Sequence, residues 1–231
     1  MQPYFFPYLG YFQLMSSVDV FVVYDNIQFS KGGWIQRNRM LLNGRDEIFS
    51  LPLKKDSDFL DIRDRRLADD YIERNKKILR RFENAYSKAP YFREVFPLVQ
   101  RCFLFEGHEN LFDFLLFSIS EIGSFLEINP NIKISSELEG DGDRLKNKAR
   151  VISLCKYLKA TIYINPIGGQ SLYNKQEFES EGLLLKFIKM RELCYQQFGG
   201  REFVPNLSIL DVLMFNDRSD VIKLLDNYDL I

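Results

Sequence analysis

Three groups of residues in this chain have the types and spacing to do chemistry. The first is Lys31-Gly32-Gly33-Trp34 followed by Arg37, Asn38 and Arg39. Alternate residues of an extended segment share a face, so Arg37 and Arg39 stand together, opposite Gln36 and Asn38. Paired guanidinium groups fork a phosphate or carboxylate, and the indole offers a stacking surface for a base or sugar. A solvated hairpin with surface arginines would carry the same residues. The second group is Asn165-Pro166-Ile167-Gly168-Gly169-Gln170-Ser171 with Tyr173. A strand running into a Gly-Gly turn offers backbone N–H groups to an anion. Neither the P-loop nor the dinucleotide fingerprint is complete here, and a tight turn made for steric reasons is the alternative. The third group is Asp25, with Asn26 and Gln28, at the end of the apolar run Val20-Phe21-Val22-Val23-Tyr24. Ligands collect at the carboxyl edge of strands in open α/β sheets, so Asp25 is the best-placed candidate base.

Other chemistry has less to stand on. The single histidine, His108, has no second histidine or serine motif beside it and reads as a surface or capping residue. That argues against a Ser-His-Asp arrangement and against histidine-rich metal sites. Glu137, Asp141 and Asp143 are further possible bases, but residues 139–143 lack the calcium-loop pattern and read as a turn and helix cap. No metal is expected, and no pattern specifies a cofactor.

These groups need elements to hold them. The opening stretch Gln2-Pro3-Tyr4-Phe5-Phe6-Pro7-Tyr8-Leu9-Gly10-Tyr11-Phe12 is the one around which the chain is organised. Two prolines bias it toward extended conformations and Gly10 permits a close approach or turn. It reads as a pre-shaped loop, packed at one edge and presenting backbone, Gln2 and Tyr4 at the other, with exposed aromatics. An arm that only covers the core is the alternative. A short helical turn follows, then a strand over 18–28 buried on both faces. Asn43-Gly44 between two β-patterned arms signals a hairpin. Residues 54–66 are polar and read as a loop or flexible edge.

From residue 69 the apolar spacing becomes helical, with a stripe of Tyr71, Ile72, Ile78, Leu79, Phe82, Ala85 and Tyr86. Further helices are expected over 90–105 and 110–126. Strands then alternate with helices: a strand over 131–135, a helix with Leu145, Ala149, Ile152, Cys155 and Leu158 as its apolar face, a strand over 161–164, a helix near 176–180 and a strand over 183–188. That alternation implies right-handed crossovers and parallel pairing. Ser208 is the expected N-cap of a helix through Phe215, and a last helix covers about 219–226. The fold class is α/β: a mostly parallel sheet with crossover helices, a β-hairpin near the N-terminus and a helical subdomain in the middle. The expected organisation is one domain over 1–231, with 69–127 as a helical insertion.

Composition narrows the partners. The 231 residues are 46% hydrophobic and 15% aromatic, with a net charge of −1. Near-neutrality argues against a general affinity for nucleic acid or anionic membranes and leaves a small anionic molecule as the expected ligand. Cys102, Cys155 and Cys194 are odd in number and far apart, which fits neither a disulfide framework nor a zinc spacing. The longest apolar run, 111–119, contains Asp113 and is too short to span a bilayer. With no secretory leader pattern, a cytoplasmic location is expected.

The blocks QPYFFPYLGYFQL, VDVFVVYDNIQFSKGGWIQRNRMLLNG, TIYINPIGGQSLY and FVPNLSILDVLMFN, in this order over nearly the whole chain, resemble the WbqC-like family of bacterial proteins. The resemblance implies a setting in surface-polysaccharide (O-antigen) and amino-sugar biosynthesis. The family-like positions are Gln2, Pro3, Pro7, Gly10, Asp25, Lys31, Trp34, Arg37, Asn38, Arg39, Asn165, Gly168, Gly169 and Tyr173. Gln36 stands where the family commonly has Asn. Family members also carry a short apolar strand ahead of the Met-Gln-Pro, and Met1 stands where that strand would end. The resulting expectation is a transferase moving an acyl or aminoacyl-type group to an amino sugar or sugar nucleotide. A non-catalytic protein binding a glycan intermediate or partner enzyme is the alternative, and nucleotidyl transfer a third.

Overall fold

A computed structural model describes residues 1–106, 109–138, 145, 147–198 and 202–231. The readings made of His108 and of residues 139–143 lie outside the described residues. Helix α1 (Leu9–Ser16) follows the opening loop and leads into strand β1 (Val20–Val23). Next come the hairpin strands β2 (Arg37–Leu42) and β3 (Arg45–Ser50) and the helices α2 (Tyr71–Tyr86), α3 (Phe92–Phe103) and α4 (Leu111–Phe125). Strand β4 (Asn131–Ile134), helix α5 (Asn147–Tyr157), strand β5 (Ile162–Pro166), helix α6 (Lys175–Ser180) and strand β6 (Leu184–Met190) follow. Helices α7 (Ile209–Phe215) and α8 (Arg218–Leu224) precede a short strand β7 (Tyr228–Leu230).

The fold is mixed α/β, but its sheets are small. β1 pairs in parallel with β4, Val20 opposite Asn131 and Val23 opposite Ile134. β5 pairs in parallel with β6, and β7 adds to β6 antiparallel. Parallel pairing is therefore confined, among the described residues, to two strand pairs. β1 is shorter than expected and its residues alternate half-buried and buried, because only Phe21 and Val23 face the core. The hairpin stands as expected, with Asn43 and Gly44 at φ 52° and 77°, the left-handed pair that a two-residue turn demands.

Most aromatic residues of the opening stretch are core residues and not a presented surface; Tyr4 and Tyr8 are half-buried. Phe5, Phe6, Tyr11 and Phe12 are at most 1% exposed. The Phe5 ring lies 4.6 Å from Phe6, 5.5 Å from Phe103 of α3 and 5.4 Å from Phe49 of β3. Burial of each such ring is worth about 1.5–3 kcal/mol, so this cluster ties loop, hairpin and helices together. α1 has no exposed face in its first seven residues for the same reason. At the start of the chain, the Met1 amine donates to the Val22 carbonyl and Tyr24 N–H donates to the Met1 carbonyl at 2.9 Å, a parallel bridge to the edge of β1.

The α2 stripe is buried as expected at Tyr71, Ile78, Leu79, Phe82 and Tyr86, and Asn75 joins it by donating to the Phe103 carbonyl at 2.8 Å. α4 is capped by the Asn110 side chain, which accepts from Phe112 N–H at 2.7 Å. α5 buries part of the expected face: Cys155 is buried and Ile152 packs beside it, but Val151 and Leu154 are buried as well and Ala149 is exposed. It packs on a smaller core with Phe178, Leu185 and Phe187. Residues 54–66 fold around Arg65, 3% exposed, which donates to the Ser57 and Lys54 carbonyls and lies 4.9 Å from the Phe29 ring. That buried cation makes the segment an ordered loop.

Candidate functional site

Asp25 lies immediately past the carboxyl end of β1, beside the matching end of β4. It is 3% exposed. Its Oδ1 accepts from Ser135 Oγ at 2.9 Å and from Ser136 N–H at 3.0 Å, and its Oδ2 accepts from Ser136 Oγ at 2.5 Å. Asp25 N–H in turn donates to Ser135 Oγ at 3.3 Å. A buried carboxylate is tolerated only when its oxygens are hydrogen-bonded, and here three neutral donors do that. Parallel pairing makes the arrangement possible, because it delivers the ends of β1 and β4 to the same edge of the sheet.

Asn26 extends the cluster. Its side-chain oxygen accepts from Ser135 Oγ at 2.5 Å and from Arg150 Nη2 of α5, and its carbonyl accepts from Arg150 Nη1 at 3.2 Å. The Arg150 guanidinium also lies 5.1 Å from the Tyr24 ring. Burial pushes the Tyr24 phenol up to about 12; Arg150 pulls the other way and Tyr173 adds to the rise. Burial likewise raises Tyr163 well above its ordinary value, with Tyr173 and Tyr24 adding to it. The phenols of Tyr24, Tyr163 and Tyr173 are thus within electrostatic reach of one another. The end of β1 and the turn after β5 form one polar neighbourhood.

In that turn, Asn165 accepts from Tyr163 Oη at 3.2 Å. Its amide lies against Gly169, where an added Cβ would meet the Asn165 Nδ2 at 2.1 Å. A side chain at position 169 would displace the Asn165 amide, whereas Gly168 faces open space.

The Trp34 arm is a second assembly. Trp34 is 40% exposed, and the guanidinium carbons of Arg37 and Arg39 lie 5.8 and 5.5 Å from its ring centre. Arg37 folds back on the Gly33 and Gly32 carbonyls, at 3.1 and 2.6 Å. Arg39 donates to Asp46 at 3.1 Å and to the Asn206 carbonyl at 2.9 Å. Both cations are held in place, with part of their donor capacity in use. Lys31 pairs with Asp58 at 2.6 Å at the side of an open cleft of about 450 Å³ lined by Gln28, Phe29, Ser30, Lys31 and Asp58.

Asn38 faces the opposite way from the arginines and is buried. Its Nδ2 donates to the Phe5 and Phe6 carbonyls at 2.9 and 2.7 Å, and its Oδ1 accepts from Arg39 N–H at 2.8 Å. It clamps the opening loop at the residue, Phe6, that adopts φ 43°. Gln2 and Tyr4 are half-buried and, among the described residues, make no side-chain hydrogen bond. Burial raises the Tyr4 phenol, with Tyr8 adding to the rise.

The structure therefore brings Asp25 together with Ser135 and Ser136, its neighbour Tyr24 within electrostatic reach of Tyr163 and Tyr173, and Trp34 together with Arg37 and Arg39. Among the described residues no hydrogen bond or ion pair joins the second set to Asp25. Ser135, Ser136 and Arg150 escaped the sequence reading. The serines sit just past a strand whose end was legible, so the polar pair following it was the available signal. Arg150 is one of the cations of α5, and local sequence does not say which of them meets Asn26.

Comparison with known proteins adds the following. The sequence model of the WbqC-like protein family matches residues 2–222. An uncharacterized protein of Mycobacterium tuberculosis, Rv1507c, is 29% identical over 218 residues, which is 94% of this chain and 91% of that protein. No solved structure matches the chain. Among the described residues no helix is long and apolar enough to cross a membrane.

Proposed function

The chain belongs to the WbqC-like protein family, and from that premise we propose that it is a transferase of surface-glycan precursor metabolism. It would move an acyl or aminoacyl-type group onto the amine of an amino sugar or sugar nucleotide. The observation that carries this reading is the buried Asp25 carboxylate, fixed by Ser135 and Ser136 at the carboxyl edge of β1 and β4. A carboxylate held in one orientation beside a polar neighbourhood suits the acceptance of a proton from an attacking amine. Arg37 and Arg39 would hold the phosphate or carboxylate of the ligand, Trp34 would stack on its base or sugar, and the Gly168-Gly169 turn with Asn165 and Tyr173 would take a second polar part. Lys31, Gln2 and Tyr4 would border the ligand.

The alternative is a binder of a glycan intermediate or of a partner enzyme. It loses Phe5, Phe6, Tyr11 and Phe12 of the opening stretch, which are buried, and keeps the exposed Trp34 with its flanking cations. Turnover separates the two. Asp25→Asn preserves shape and the Oδ1 acceptor, turns the Oδ2 acceptor into an N–H donor toward Ser136 Oγ, and removes the base. It should lower turnover by about 10²–10⁴-fold while leaving ligand-induced thermal stabilisation in place. Full turnover by Asp25→Asn would remove the assigned base. Stabilisation of the wild-type protein by an amino-sugar nucleotide, with no consumption of it beside any acyl donor, would favour the binder.

A further inference from the structure

Asp25 is too enclosed to meet a substrate directly. At 3% exposure, with Oδ1 accepting from Ser135 Oγ and Ser136 N–H and Oδ2 from Ser136 Oγ, three of its roughly four lone-pair sites are filled and the remaining one on Oδ2 is enclosed with the rest of the residue. Ser136, by contrast, is half-buried. Its hydroxyl hydrogen is committed to Asp25 Oδ2 at 2.5 Å, and no described group donates to its oxygen. A hydroxyl that donates once keeps two lone pairs, so Ser136 Oγ can accept a proton from outside while releasing its own inward.

Ser135 cannot do the same. It is 2% exposed, its oxygen already accepts from Asp25 N–H, and its single proton faces two acceptors, Asp25 Oδ1 at 2.9 Å and Asn26 Oδ1 at 2.5 Å.

We propose that Ser136 is the catalytic residue that touches the acceptor nucleophile, relaying its proton to the buried Asp25. This rests on the amine-acyl transfer reading given above. The acceptor nitrogen forms a bond to the carbonyl carbon of the donor and gives its proton to Ser136 Oγ. The Ser136 hydrogen passes at the same time to Asp25 Oδ2. The bond from the carbonyl carbon to the leaving group then breaks, the leaving atom keeps the electron pair, and the proton returns along the same path to it. Serine and aspartate end as they began, and the net change is amine plus acyl donor to amide plus protonated leaving group.

The test uses the full chain with a nucleoside-diphosphate amino sugar as acceptor and acyl-coenzyme A and aminoacyl esters as donors. Ser136→Ala should lose about 10²–10⁴-fold in kcat with little change in KM, and Ser136→Thr, which keeps the hydroxyl, should retain activity within about tenfold of wild type. Ser136→Ala within threefold of wild type overturns the relay while leaving the transferase reading intact. No amide product from the wild-type protein with any donor defeats that reading and the relay with it. Should Ser136→Ala fail to fold, the wild-type rate in mixed light and heavy water decides. Two protons in flight give a bowed dependence on deuterium fraction, and a straight line overturns the relay.

Discussion

Asn38→Ala tests the clamp on the opening loop. The substitution removes the two bonds from Nδ2 to the Phe5 and Phe6 carbonyls and the acceptor for Arg39 N–H. Phe6 O keeps a partner in Ser208 Oγ at 2.8 Å, but Phe5 O loses its side-chain donor inside a residue that is 0% exposed. An orphaned buried carbonyl costs about 1–3 kcal/mol and each other lost bond about 1 kcal/mol, so the loss is roughly 4 kcal/mol. At about 2–4 °C per kcal/mol for a chain of this size, Tm should fall by about 10 °C. Phe6 sits at φ 43°, a conformation that costs a non-glycine residue about 1–3 kcal/mol and persists only while its surroundings enforce it. Asn38→Asp sharpens the test. It preserves volume and the acceptor for Arg39 but sets carboxylate oxygens against two carbonyls, so it should be worse than alanine. Thermal unfolding followed by circular dichroism measures both. A Tm within 2 °C of wild type for Asn38→Ala, or an aspartate variant more stable than the alanine one, would refute the clamp.

Three further outcomes follow from the geometry. Gly168→Ala should leave Tm within about 1 °C, whereas Gly169→Ala should displace the Asn165 amide, break its bond with Tyr163 and weaken ligand retention; equal behaviour of the two in thermal-shift assays would contradict the packing described. Trp34 is the lone tryptophan, so its emission should change when an anionic sugar nucleotide binds the arm, and Arg37→Ala should weaken that ligand about tenfold in a fluorescence titration; an unchanged Kd would count against an anion site there. Burial raises the Asp211 carboxyl above its ordinary value of 3.8, with hydrogen bonds from Tyr195, Tyr86 and Gln197 opposing the rise. The folded state then holds a proton that the unfolded state has released just above that pH. Stability from this group is full below about pH 4 and is lost as pH rises through the folded value. Asp211→Asn should flatten the urea-unfolding free energy over that window, and an unchanged slope would argue against the burial effect.

Much of the scaffold was legible in local sequence because local physics decides it. Asn43-Gly44 demands a left-handed turn whatever surrounds it, and the α2 stripe has a strong period. Ser208 announced the start of α7, where its hydroxyl accepts from Leu210 N–H at 3.3 Å. What failed depends on distant partners. β1 was read too long because an apolar run does not say how many strands flank it. β7 was missed because three residues carry little pattern, and its pairing with β6 comes from tertiary contact. The face of α5 was read only in part: Cys155 and Ile152 meet the smaller core as expected, but that core also takes Val151 and leaves Ala149 outside. For the site, Asp25 stood out as a charge at the end of an apolar strand. Its partners Ser135 and Ser136 lie 110 and 111 positions away, and only the parallel pairing of β1 with β4 brings them there.

The opening loop carries one more consequence, in the order of synthesis. Its shape is closed by Ser208 Oγ on the Phe6 carbonyl, 202 positions downstream, and by Ile209 N–H on the Pro7 carbonyl at 3.0 Å. Gln13 in α1 is anchored to the Leu224 carbonyl, 211 positions on. Residues of this loop and of α1 therefore wait for partners made 202 to 211 positions later. At roughly 5–20 residues per second that delay is on the order of 10–40 s, with Phe5, Phe6, Tyr11 and Phe12 lacking their final cover throughout. A nascent chain halted before Ser208 should keep this aromatic segment open to protease and to chaperones, and should acquire its protection only once α7 has emerged.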